Sequence, residues 1–324
     1  MMTTFVTTES HVYHIEPDQY VPGNILFSDA HSLKTTDGTT TSLIAGSSSS
    51  GYSTSSGSSA RFRDITGFHQ VTSTRVFLVD TGNHCMRMLD RTSNASYVSL
   101  AGRCCSASYA DGTSGARFYY PRSAIADEKA SGRLLVTDRH HHAIRHVNTG
   151  PSSGNYHYVT TFYRSSTISY PWGITQESSS GDLFITANRY HNIYRLSYTS
   201  KAVSLLSGTS SAGLHDGFPC QTRFNHPYDL LFLGPHTLLI ADLSNHRLRL
   251  LDLISLMTSS LCSGTYSTTD GNLTACTTKH PNSVAAIHDS LFIGQYQAIR
   301  RIKGLIIVCY NVNKKSFTVK VTIT

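Results

Sequence analysis

Histidine recurs along this chain at a spacing that would suit metal chemistry if the imidazoles met. His31, His84, His142, His191 and His246 stand at corresponding places, and Gln297 takes the sixth. Three or four imidazoles hold zinc only when they converge on one point. Residues related by a repeat are carried one per unit instead, so the series is expected to be structural. Each histidine, with a nearby Asp29, Asp80, Asp138 or Asp242, should hydrogen-bond the turn between two strands and tie adjacent units. The run His140-His141-His142 reads as a solvated turn. Arg87, Arg145, Arg249 and Arg300 follow three residues after their histidine or glutamine, and exposed positions with stems over apolar neighbours are expected for them. No HExxH helix, GxSxG elbow, phosphate loop or dinucleotide fingerprint occurs, and no nucleophile has an evident base.

The elements that carry these residues repeat. Apolar runs recur as ILFSD ending at Asp29, VFLVD at Asp80, LLVTD at Asp138, LFITA at Ala187, LLIAD at Asp242 and LFIG at Gly294, at intervals of 51, 58, 49, 55 and 52 residues. The histidine segments that follow alternate polar and apolar, as half-buried strands do. A third strand ends in Gly46, Gly102, Gly208 or Gly264. Next come Asp-Gly turns (Asp111, Asp216, Asp270), an aromatic (Phe62, Phe118, Phe224), and a proline (Pro121, Pro171, Pro227, Pro281) that opens another short apolar strand. Four strands per unit of about fifty residues is the pattern of propeller blades, which bury their faces only by stacking. The expected fold is all-β, a six-bladed β-propeller of four-stranded antiparallel blades over residues 24–302. Residues 1–23 and 303–324 would supply strands that close the ring.

VDTGNHCMRML at Val79–Leu89 and ADLSNHRLRLL at Ala241–Leu251 resemble the Asn-His-Leu core of the NHL repeat. The LAG, Asp-Gly and ARFxxP elements, as in Asp111–Pro121, are similar to that family too. The chain departs from it at Ala187, Gly294 and Gln297, and its first copy is two residues shorter between Asp29 and His31. The resemblance implies a scaffold that binds a partner. It also opens two other readings. NHL-like propellers include the peptidyl-hydroxyglycine amidating lyase, with zinc held by channel histidines; His226 and His280 would be two ligands here, with no third in view. Some intracellular NHL domains bind single-stranded RNA through a basic, aromatic-lined face.

In a propeller the innermost strand starts near the axis, so the residues around each blade-entry proline should ring the channel mouth. These are Tyr119, Tyr120 and Arg122; Tyr170 and Trp172; His226 and Tyr228; His280 and Asn282. Such side chains offer large rigid contact area with polar tips. The expected function is non-catalytic binding of a protein or glycan at this face, with no cofactor and no metal, and with nucleic acid as the alternative partner.

Composition agrees with a cored domain: 39% hydrophobic and 15% charged residues. Lys plus Arg number 27 against 20 Asp plus Glu, and the resulting net charge of +7 favours anionic partners. The seven cysteines form no CxxC pair; Cys262 and Cys276 flank one polar loop and suggest a short disulfide. Asn94 and Asn272 begin glycosylation triplets. Together these place the chain outside the cell or at its surface, as a fragment of a larger protein, with a cytoplasmic location as the alternative. No basic segment followed by an apolar one opens the chain, and no apolar run reaches membrane-helix length. Protein made through a secretory route is expected to carry glycans on Asn94 and Asn272, scored by peptide mass spectrometry; unmodified peptides would count against that compartment.

Overall fold

The computed structural model describes residues 1–92, 95–113, 115–149, 158–261, 270, 277–303, 305–312 and 316–323. Asn94, Asn272, Cys262 and Cys276 lie outside the described residues. The described elements are all β apart from single 3-10 turns. In chain order the strands are β1 (Met2–Pro17), β2 (Ile25–Asp29), β3 (Ser32–Thr36), β4 (Thr41–Gly46), β5 (Ile65–Gln70), β6 (Arg75–Asp80), β7 (Cys85–Asp90), β8 (Ala95–Ala101), β9 (Pro121–Ala126), β10 (Arg133–Asp138), β11 (Ala143–Asn148) and β12 (Val159–Arg164). There follow β13 (Pro171–Gln176), β14 (Leu183–Ala187), β15 (Asn192–Leu196), β16 (Val203–Ser207), β17 (Pro227–Phe232), β18 (Thr237–Asp242), β19 (Arg247–Asp252), β20 (Thr258–Ser260), β21 (Ser283–Ile287), β22 (Ser290–Lys303), β23 (Leu305–Val312) and β24 (Ser316–Ile323).

Four sheets have four strands each: β5-β6-β7-β8, β12-β11-β10-β9, β13-β14-β15-β16 and β17-β18-β19-β20. A fifth runs β21-β22-β1-β2-β3-β4, and β23 pairs with β24 alone. The described strand pairings are antiparallel, as in β10 with β11 and β18 with β19. The blade count expected from six repeats is therefore corrected: the first and last repeats share one sheet, and the propeller has five blades, not six. The departures at the two ends explain this. In the repeats between them the second and third strands are separated by a 3-10 turn at Thr81–Asn83, Arg139–His141, Asn188–Tyr190 or Leu243–Asn245. In the last repeat β22 runs for 14 residues through Gln297 with no such turn.

The chain divides into two compact units, one of residues Tyr13–Leu183 with Ser197–Lys201, the other of Met1–Val12, Phe184–Leu196 and Ala202–Thr324. In the first, Phe77, Val79, Phe118, Leu134, Val136 and Val159 form one core, and Leu26, Phe62, Phe68, Leu78 and Leu89 another. In the second, Phe184, Phe224, Leu238, Ile240 and Leu251 pack together, as do Met2, Leu239, Leu248, Ile293 and Ile302. Fully burying such a side chain is worth about 1.5–3 kcal/mol. The runs β2, β14 and β18 are buried at every residue because both faces of a blade are covered, whereas β7 and β11 alternate towards their ends.

The repeat arginines are not exposed, as their alternating context suggested; Arg87, Arg145, Arg249 and Arg300 are fully buried. Arg145 Nη1 donates to Asp138 Oδ2 at 2.8 Å and its Nη2 to Asp111 at 2.6 Å. Arg249 repeats this with Asp242 at 2.8 Å and Asp216 at 2.6 Å, and Arg87 meets Asp80 at 3.2 Å. Their guanidinium carbons stand 4.2, 5.1 and 5.0 Å from the ring centres of Phe62, Phe118 and Phe224. A buried cation is tolerable only when its donors are matched in this way.

Gly208 directly follows β16 with φ +113°, and a Cβ there would stand 2.5 Å from the His191 carbonyl oxygen. Gly46, with φ +97°, meets the His31 carbonyl at 2.3 Å in the same sense. A glycine closes these strands because the chain presses directly on the histidine turn.

One disulfide, Cys85–Cys104, joins the start of β7 to the segment after β8. Cys105 and Cys220 are free and exposed.

Arg249→Met leaves Asp242 buried without its cation and is expected to cost about 3–5 kcal/mol of stability, against a smaller loss for the double change with Asp242→Leu, which removes the orphaned charge but also the acceptor of the Asn225 N–H. Chemical denaturation of the three proteins checks this; a single change as mild as the double one would contradict it.

Candidate binding site

The four 3-10 turns between second and third strands each close on a residue in the left-handed region: His84 (φ 60°), His142 (53°), His191 (57°) and His246 (54°). Histidine visits this region more readily than bulky apolar residues do. Its ring then acts across to the next repeat. Within the Tyr13–Leu183 unit, His31 Nδ1 accepts the Asp64 N–H at 3.1 Å, His84 Nδ1 that of Tyr120 at 3.2 Å, and His142 Nδ1 that of Tyr170 at 3.0 Å. Within the other unit, His191 accepts from His226 at 3.0 Å and His246 from His280 at 3.2 Å. All five donors have positive φ themselves, between 50° and 63°. The donor's ring stands edge-on to the histidine that holds it: His84–Tyr120 at 4.4 Å, His142–Tyr170 at 4.7 Å, His191–His226 at 4.8 Å and His246–His280 at 4.4 Å.

The turn aspartates finish the clamp. Asp138 Oδ1 accepts the Tyr119 N–H at 2.9 Å, and Asp80 and Asp242 take those of Arg63 and Asn225 at 2.8 and 2.7 Å. So the residue before the blade-entry position is fixed by Asp, and the entry residue by His.

The nine side chains expected to form one binding face divide between the units. In one, His226 is exposed and bonded to Asn225 and Ser244. The Tyr228 carbonyl accepts from Thr186 at 2.8 Å, and buried Asn282 contacts His11 at 3.2 Å. Among the described residues no three His, Cys, Asp or Glu side chains gather as metal ligands.

In the Tyr13–Leu183 unit, Tyr119, Tyr120, Arg122, Tyr170 and Trp172 do come together. Arg122 and Trp172 are the second residues of β9 and β13, and the Arg122 guanidinium lies 3.9 Å from the indole centre. Arg139, from the 3-10 turn, stands 4.9 Å from the same indole and 5.4 Å from the Tyr170 ring. His140 sits amid three tyrosines, with ring centres at 4.6 Å from Tyr119, 5.0 Å from Tyr120 and 5.5 Å from Tyr170. Tyr119 is 36% exposed and Trp172 only 8%. Two cations and a run of aromatic faces thus meet, one end open to solvent.

His140 and Arg139 were not recognisable as members of this group. The run Arg139-His140-His141 occupies the place of Thr81-Gly82-Asn83 in the preceding repeat, and its unusual basicity was the available signal. His140 is half-buried, not solvated: burial first, then the charges of Arg139 and Arg122, hold its pKa down at about 4. Arg139 Nη1 lies 2.8 Å from His140 Nε2, which makes that nitrogen the acceptor.

Solved structures of low sequence identity share this fold. An auxiliary nutrient binding protein from Bacteroides ovatus superposes with TM-score 0.69 at 16% identity, over 93% of this chain and 75% of that one. A gluconolactonase from Xanthomonas campestris gives 0.63 at 12%, over 93% and 88%. Virginiamycin B lyase from Staphylococcus aureus gives 0.59 at 10%, over 93% and 97%. The fold is a β-propeller. No family model matches the chain, and no curated protein matches it in sequence. Binding proteins and enzymes share this architecture, so the fold alone assigns neither role.

Burial pushes the seam histidines His84, His142, His191 and His246 below the usual imidazole value. A histidine whose pKa is depressed in the folded state binds its proton more readily when unfolded. Its contribution is therefore present at neutral pH and lost as pH falls below the ordinary value of about 6.5. Burial raises Asp80 and Asp242, which acts with the opposite sign, so the test is a difference. His142→Gln, the residue that Gln297 already supplies in the last repeat, should flatten the fall in thermal midpoint between pH 7 and 5. An unchanged slope would contradict this.

Proposed function

We propose that the chain is a non-catalytic binding module of an extracellular or cell-surface protein, holding a glycan through the face formed by Tyr119, Tyr120, His140, Tyr170 and Trp172. One observation carries this: the main chain at Tyr119, Tyr120 and Tyr170 is clamped by Asp138, His84 and His142. Aromatic surface fixed before the partner arrives loses little freedom on binding, which is where affinity is otherwise lost. The flat rings of this face suit the C–H faces of sugars. The nutrient-binding neighbour with the same fold supports a binding role. The Cys85–Cys104 disulfide supports an oxidising compartment.

Trp172 is the single tryptophan of the chain, so its fluorescence reports on this face alone. Titration with a panel of neutral and acidic polysaccharides is expected to shift the Trp172 emission for at least one member, and Tyr119→Ala to weaken that binding by about tenfold or more. Binding that leaves Trp172 silent and is indifferent to Tyr119→Ala would place the site elsewhere.

A further inference from the structure

We infer that the glycan held here carries an N-acetylhexosamine, whose acetamido carbonyl accepts from His140 Nδ1 while its methyl group packs against the rings of Tyr119 and Tyr120. The inference rests on the binding reading above and adds the chemical class of the sugar. An arginine nitrogen can only donate, so Arg139 Nη1, at 2.8 Å, makes His140 Nε2 an acceptor and puts the single ring proton on Nδ1. The main-chain N–H of His140 donates to the Tyr119 carbonyl at 3.1 Å, so the residue is held at backbone and ring alike. Among the described residues nothing accepts from the Nδ1 proton, and Nδ1 is not sealed from solvent. A directed donor therefore stands ready in the face before any partner arrives.

The surroundings of that donor select its acceptor. The rings of Tyr119, Tyr120 and Tyr170 are centred 4.6, 5.0 and 5.5 Å from the imidazole. Aromatic walls keep competing water away, so a hydrogen bond made there is stronger than the same contact in open solvent. A sugar hydroxyl accepting from Nδ1 would turn its own proton towards the ring faces. A carboxylate would bring a full charge among them, which is costly. An amide carbonyl has neither difficulty: it is a strong neutral acceptor, and the methyl group beside it is apolar.

Tyr119 and Tyr120 supply the platform for the rest of the sugar. Their ring centres are 5.5 Å apart and their planes differ by 34°, forming a shallow step of which Tyr119 is the exposed part. Among the described residues neither hydroxyl has a hydrogen-bond partner, and neither is sealed from solvent. A phenol both donates and accepts, so these two can take the acetamido N–H and a neighbouring sugar hydroxyl. A hexose without the acetamido group would still offer its C–H face to the step, but would leave His140 Nδ1 to water.

The probes are the methyl glycosides of N-acetylglucosamine and N-acetylgalactosamine, each compared with that of its parent hexose, which has a hydroxyl in place of the acetamido group. Trp172 fluorescence and NMR titration would follow all four on the wild-type chain. In at least one pair the acetylated sugar is expected to bind at least about tenfold more tightly, which is what one well-aligned hydrogen bond in a dry site supplies. Its affinity should change little with salt, since no charge is paired. Its binding should also protect the His140 Nδ1 proton from exchange with water and shift it downfield, which an imidazole that only packs would not show. In His140→Phe, which keeps a ring and removes the donor, the members of that pair should bind equally. Equal affinity within both pairs on the wild-type chain, still lost in Tyr119→Ala, would overturn the N-acetyl class and leave the glycan module standing. A preference that survives in His140→Phe would overturn the role given to His140. No binding of any of the four would overturn the N-acetylhexosamine assignment, and the wider polysaccharide panel would then decide the module itself. The wild-type comparison and the Nδ1 signal need no variant, so a failure of His140→Phe to fold would not remove the test.

Discussion

A guanidinium buried against a turn aspartate is the interaction on which this structure depends. Neither charge could sit there alone, since an unpaired buried ion costs several kcal/mol. Acid and base are kept or lost together except in the last repeat. Asp80–Arg87, Asp138–Arg145 and Asp242–Arg249 are complete. The first repeat substitutes Lys34 on Asp29, at 2.7 Å. Where Ala187 removes the acid, Tyr194 stands in the arginine place and is joined by Asn192 at 3.2 Å. Where Gly294 removes it, Arg300 keeps the second partner alone, Asp270 at 2.5 Å, as Arg145 and Arg249 keep Asp111 and Asp216.

The consequence reaches the surface in two steps. With one oxygen on arginine, each aspartate of a complete pair uses the other to catch a backbone N–H just ahead of the blade-entry residue. The neighbouring histidine then catches the next N–H. Tyr120 and Tyr170 are thereby held at φ 50° and 52°, a conformation that costs bulky side chains about 1–2 kcal/mol. That strain is offset at Tyr120 by the two hydrogen bonds and at Tyr170 by the His142 bond, with an edge-on ring contact at each. Charge in the core and shape at the proposed binding face are parts of one arrangement.

Much of this was legible in the residues, and the rest was not for definite reasons. The apolar runs, the histidine place and the glycine ends located the strands of the repeats. The blade count was not legible, because a continuous β22 cannot be told from two strands by alternation when Gln297 still occupies the turn place. The burial of Arg87, Arg145 and Arg249 was missed because an arginine in an alternating strand has the pattern of an outward position. Its partner lies seven residues back, across a turn whose shape the sequence does not print. Cys85 and Cys104, 19 residues apart, meet only once β7 and β8 are paired. Of the nine residues expected to form one face, Tyr119, Tyr120, Arg122, Tyr170 and Trp172 cluster. His140 and Arg139 join them from a turn that was read as solvated.

The claim beneath all of this is that the seam histidines act as acceptors through Nδ1. Two-dimensional nitrogen–proton NMR of the imidazoles at neutral pH measures it directly. The account requires His84, His142, His191 and His246 to be neutral with the proton on Nε2. Rings protonated on Nδ1 could not hold Tyr120, Tyr170, His226 or His280, and that result would contradict the account.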